Sequence, residues 1–170
     1  MSQSIGIHED LRKHILSEYP TPIARLTKRI FDRKTKNYCQ EILHGYNYIW
    51  TFMGHLILAD YFRLGVPSPR HNILLISTVR SMNTHRWIEV FRGLLNVIGE
   101  KTSIPELMSL YRSCISADES LQERLEKLTK RTQMSYIPFD DREAAGYEVN
   151  LFKLLENIGF LAEYSIIMKR

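Results

Sequence analysis

Asn37-YCQEILHGYNYIWTFMGHLILADYFR-Leu64 is free of proline, bounded by charge, and apolar almost all round its middle. A helix greasy on every side belongs at the centre of a bundle, so this stretch predicts a long central helix over 37–64 and an all-α fold. It does not predict a membrane span. The run from Tyr48 to Ala59 falls short of the ~20 residues a crossing requires, and His55 and Asp60 interrupt the apolar character.

Helix punctuation surrounds this segment on both sides. Residues from about His8 to Glu18 place Leu11, Ile15 and Leu16 on one face, and Tyr19-Pro20 ends that helix. Thr21-Pro22 reads as an N-cap followed by proline at the first helical position, opening a helix to about Arg33. Its apolar positions are Ile23, Leu26 and Ile30. Asn37 with Gln40 suits a capping-box start for the central helix.

Downstream, Gly65, Pro67 and Ser68-Pro69 end the central helix. The pattern from Asn72 to Ile98 is again helical, with a break near Asn83-Thr84. Ser103 with Glu106 forms an S-x-x-E box for a helix to about Ile115. Ser116 with Glu119 repeats it for a helix striped by Leu121, Leu125 and Leu128. Thr132 to Phe139 reads as an extended loop. Asp140 and Glu143 then cap a last helix running to the C-terminus, whose face includes Val149, Phe152, Leu155, Ile158 and Ala162. No segment alternates at period two, and no solenoid period appears. The expectation is one helical domain, residues 1–170, of about six or seven helices around the 37–64 helix.

Composition agrees. A chain of 170 residues buries roughly 70% of its unfolded surface, enough for a core without staples. Its 44% hydrophobic and 25% charged residues are ordinary for a globular protein. Cys39 and Cys114 stand far apart, with no Cys or His at metal spacing, and read as reduced packing residues. MSQSIGIHEDLRKH lacks the apolar run of a signal peptide, so a cytoplasmic setting is expected.

The net charge of +4 is too small to argue for nucleic acid by itself. Its distribution is uneven, with Arg25, Lys28, Arg29, Arg33, Lys34 and Lys36 crowded around the single acid Asp32. Such a cluster suits either an acidic partner or phosphates, and Arg25, Lys28, Arg29, Arg33 and Lys36 are the candidate partner-binding residues.

Other constellations reduce to structure. His44 and His55 lie about 16 Å apart along the central helix, too far to share an ion. They read as hydrogen-bonded core or rim residues. Tyr46, Tyr48, Trp50, Phe52, Tyr61 and Phe62 read as core rather than base-stacking platforms. Asp140, Asp141 and Glu143 are explained by capping and dipole compensation. No phosphate loop, nucleophile elbow or H-E-x-x-H occurs, and no metal or cofactor is expected.

Several separated pieces resemble helical N-terminal modules of bacterial signalling and conflict (defence) proteins, which are related to HEPN folds. YPTPIARLTKRIF at 19–31 is similar to their P-x-P-I-A opening, and a long apolar helix follows here as there. Thr84-His85-Arg86-Trp87 with IEVFRGLLNVI resembles a G-H-W element, and Phe160-Leu161-Ala162-Glu163-Tyr164 resembles the closing segment. The resemblance implies a regulatory or adaptor module, non-catalytic, that contacts a protein partner or effector domain, works as a homo-oligomer, and stands at the N-terminal end of a longer polypeptide.

Arg80 and His85, in R-S-M-N-T-H, also match the R-x(4–6)-H pattern of HEPN ribonucleases. That match implies an alternative, metal-independent RNA cleavage with Arg80 gripping phosphate and His85 moving protons. Chance supplies roughly one or two such matches in a chain of this size. The family's R-N-x-x-A-H-G element has no counterpart, since Lys130 to Ala145 contains no histidine. A third reading is nucleic-acid binding through segment 25–36.

Overall fold

The computed structural model describes residues 2–32, 38–65, 69, 72–73, 75, 84–112 and 141–164. Among these, every regular element is helical: α1 (Ser2–Glu18), α2 (Thr21–Asp32), α3 (Tyr38–Leu64), α4 (Thr84–Ile98), α5 (Glu106–Tyr111) and α6 (Asp141–Asn157). Short 3-10 turns follow α4 at Gly99–Lys101 and α6 at Gly159–Ala162. The all-α expectation holds. The chain divides into two compact units, residues 1–45 with 138–170 and residues 46–137.

In the first unit, α1 begins well before His8, at Ser2. Its inner face is narrower than the sequence pattern suggests: Ile15 is fully buried, but Leu16 lies 37% exposed. Tyr19 and Pro20 turn the chain into α2, whose first turn hangs from the Pro20 carbonyl through Ile23 N and Ala24 N at 2.9 and 3.1 Å. The helix thus starts at Thr21 itself, one residue earlier than the expected first helical residue Pro22. Pro22 still falls in the first turn, where a missing N–H costs nothing.

Ile23, Thr27 and Ile30 form the buried stripe of α2, and Thr27 Oγ1 satisfies itself on the Ile23 carbonyl at 2.9 Å. Ile42 and Leu43 of α3 and Leu151, Phe152, Leu154 and Leu155 of α6 complete this core. Phe31 stacks on Phe152 at 5.2 Å, and the Arg12 guanidinium lies 5.1 Å from the Phe31 ring centroid. Val149, expected on the inner face of α6, is 47% exposed; Asn150 and Leu151 take the buried places instead.

The Tyr19 hydroxyl donates to the Leu155 carbonyl at 2.8 Å, fastening the α1–α2 link to α6. Burial, with a smaller contribution from the Glu156 carboxylate, pushes the Tyr19 phenol up to about 12. A neutral phenol suits an enclosed site, and its one donor is satisfied.

In the second unit, Ile49, Trp50, Met53, Ile57 and Tyr61 of α3 join Trp87, Val90, Phe91, Leu94, Leu95 and Ile98 of α4, with Leu107 and Leu110 of α5, in a buried core. Gly54 is the close approach: a Cβ there would run into the Trp87 ring. Trp50 is fully enclosed and edge-to-face with Phe91 at 5.7 Å, its indole N–H without an acceptor among the described residues. Gly65 (φ 62°) and Gly99 (φ 55°) adopt the left-handed conformation just past α3 and α4, where glycine alone avoids a Cβ penalty.

Helix α3 is not enclosed on every side. His44, Tyr48, His55, Ala59 and Phe62 are all exposed, leaving an outer stripe along the helix. Burial of Tyr46, Trp50 and Tyr61 matches the core reading of the aromatics, whereas Tyr48 (41%) and Phe62 (64%) depart from it. The aromatic content made the helix read as uniformly apolar, but tyrosine and histidine tolerate a wet edge.

Candidate interaction surface

Helix α2 turns its hydrophobic stripe inward and so carries its cations outward. Arg25, Lys28 and Arg29 are exposed, three and four residues apart, on the side opposite Ile23, Thr27 and Ile30. Half-buried Leu26 borders them. Arg33, Lys34 and Lys36 lie outside the described residues. Arg25 and Lys28 have no acidic partner among the described residues.

Arg29 differs from its neighbours. Its Nη2 donates to Glu41 Oε1 at 2.8 Å, reaching the first turn of α3. The Arg29 side chain remains 56% exposed while the Glu41 side chain is buried at 8%. The carboxylate therefore anchors one edge of the guanidinium, and the remaining N–H donors of Arg29 have no partner among the described residues.

Among the described residues, the densest polar cluster lies in the second unit, around Asp60. Its Oδ2 accepts from Thr102 Oγ1 at 2.7 Å and from Ser103 N at 2.9 Å. Its Oδ1 accepts from Ser103 Oγ at 2.6 Å and from Arg63 Nε at 2.9 Å. Burial alone would raise this carboxyl, but hydrogen bonds from Ser103, Thr102 and Arg63 outweigh it and hold Asp60 below its ordinary range. Such a carboxylate is a committed acceptor, poorly suited to proton transfer; it clasps the 102–104 loop to the end of α3.

The clasp also corrects the expected capping box. Ser103 spends its hydroxyl on Asp60, and α5 begins at Glu106 behind Pro105 with no side-chain cap; the expected end at Ile115 lies outside the described residues. Sequence reading missed Asp60 as an anchor because its loop partners Thr102 and Ser103 stand more than forty residues away. The adjacent hydroxyls Thr102-Ser103, just after Gly99, were the available signal.

The histidines hold no common site. His44 is exposed, and His55, also exposed, pairs its Nδ1 with the Thr51 carbonyl at 2.6 Å and packs its ring 4.4 Å from that of Trp87. His55 is thus a rim residue shielding Trp87. Among the described residues, no three His, Cys, Asp or Glu side chains gather to hold a metal ion, and no helix is long and apolar enough to cross a membrane.

Arg80 lies outside the described residues, and His85 falls on the first turn of α4 with its side chain outside them. The ribonuclease alternative therefore has no described geometry behind it. The described part of α4 starts at Thr84, and Asn83, beside the expected break, lies outside the described residues. Cys114, the helix expected after Ser116 and the loop expected over 132–139 also lie outside the described residues.

No protein-family model matches the chain, and comparisons with curated proteins and with solved structures likewise give no match. None of these comparisons supports the resemblance to HEPN modules.

Proposed function

We propose that this chain is a regulatory or adaptor module that works by protein–protein contact, with the outer face of α2 as its docking surface. One observation carries the reading: Arg25 and Lys28 stand exposed beside Arg29, without acidic partners among the described residues. The Asp60 carboxylate, by contrast, is buried and taken up by Thr102, Ser103 and Arg63. The helix backbone beneath these cations is already ordered, so binding a charged partner orders side chains only. The bacterial signalling or defence setting is the one implied by the sequence resemblance.

The test compares the wild-type chain with Arg25→Glu/Lys28→Glu in two assays. Sedimentation velocity over a concentration series reads self-association, and capture on immobilised chain reads partners. The reading expects a self-associated species or a captured protein that the double reversal loses. Identical behaviour of the two proteins in both assays rejects it.

A further inference from the structure

We propose that the α2 face takes an acidic helical segment of a protein partner, with two carboxylates one turn apart, and that Glu41 is the positioning residue that sets Arg29 for it. This rests on the reading of α2 as a docking surface.

Arg25 and Arg29 are related by i, i+4, so their Cβ atoms lie about 5–6 Å apart, the same spacing that two glutamates one turn apart present on a facing helix. Arg29 is not a free-swinging cation. Glu41, buried on α3, grips Nη2 at 2.8 Å while the remaining N–H donors stay without partners among the described residues and the side chain stays largely exposed. That arrangement removes rotamer freedom before binding and leaves the guanidinium able to take a second carboxylate. Lys28, one turn from Arg25 on the other flank, adds charge without fixing direction.

Nucleic acid fits this face less well. Tight backbone binding neutralises about 6–10 phosphates, whereas the cations of this face among the described residues, Arg25, Lys28 and Arg29, cover only ~6 Å of helix axis. The one ring on α2, Phe31, is half-buried and stacked on Phe152. Half-buried Leu26 beside the cations suits a mixed apolar and charged protein contact.

The probes are a helical alanine-based peptide with glutamates paired at i, i+4, an isomer of equal composition with the glutamates on opposite sides, and a single-stranded oligonucleotide. Binding to the full chain is read by fluorescence anisotropy at low salt. The paired peptide should bind about fivefold tighter than its isomer, the upper range for an exposed charge pair. Arg29→Lys, which keeps the charge and loses the fork, should abolish that preference.

Glu41→Met sharpens the test by its sign. The variant makes the protein more positive, so simple net attraction predicts tighter binding; positioning predicts weaker binding of the paired peptide. If Glu41→Met does not fold, Arg29→Lys decides the matter. Equal affinity for the two peptides overturns the inference yet leaves the docking surface standing if Arg25→Glu/Lys28→Glu still abolishes capture. Unchanged or tighter binding by folded Glu41→Met overturns the positioning role. No binding by either peptide, or tighter binding of the oligonucleotide, overturns the acidic-helix partner.

Discussion

The Arg29 guanidinium and the Glu41 carboxylate meet at 2.8 Å, joining an exposed cation on α2 to a buried acid in the first turn of α3. The pair ties the proposed docking face to the core beneath it. Arg29→Ala should destabilise the chain by about 1 kcal/mol, the low end for a lost charged hydrogen bond, because the arginine side is open to water. Chemical denaturation reads this as a lower midpoint with an unchanged slope.

Asp60 makes a larger prediction. Asp60→Ala leaves Thr102 Oγ1, Ser103 N and Ser103 Oγ without their acceptor and should cost about 1–3 kcal/mol. Because the folded carboxyl titrates below its unfolded value, its stabilisation is present above that unfolded value, near 4, and is lost as pH falls through the folded one. The wild type should therefore lose stability below about pH 4 more steeply than Asp60→Ala does. Parallel curves from paired denaturation series at pH 3 to 6 would rule this out.

Gly54→Ala places a Cβ against the Trp87 ring and should cost about 1–3 kcal/mol through overpacking. Gly146→Ala, with open space around its Cβ, is the matched control on α6 and should gain about 0.5–1 kcal/mol from helix propensity. Thermal melts of both variants check the contrast; equal melting temperatures would contradict it.

Tyr19 gives an alkaline signature. Its folded phenol titrates near 12, above the ordinary value of 10.0, so its stabilisation is complete below about pH 10 and is lost as pH rises towards 12. Tyr19→Phe should cost about 0.5–1.5 kcal/mol at neutral pH through the lost bond to the Leu155 carbonyl. It should also flatten the loss of stability between pH 10 and 12. An ultraviolet phenolate titration that shows no tyrosine removed near pH 12 in the variant would refute the assignment.

The helical class was readable because its signals are local: the apolar run of α3, the stripe of Ile23 and Ile30, and the stops at Tyr19-Pro20 and Gly65. Exposure of Arg25, Lys28 and Arg29 followed from the same periodicity, since an inward stripe dictates an outward face. What escaped was long-range pairing. Ser103 looked like a helix cap because S-x-x-E is a local pattern, yet a buried acid 43 residues away claimed both its hydroxyl and its amide. Glu41 likewise showed nothing in sequence to mark it as the anchor of Arg29. The outer stripe of α3 was obscured because Tyr48, Phe62 and the core aromatics are chemically alike, and only packing distinguishes them.

The most direct measurement of the central claim is a binding isotherm for the paired-glutamate helical peptide, taken with wild-type chain and with Arg25→Glu/Lys28→Glu. Saturable binding that weakens about tenfold or more in the double reversal, and weakens for the wild type as salt rises, is the predicted result. Superimposable isotherms for the two proteins would contradict the assignment of α2 as the docking face.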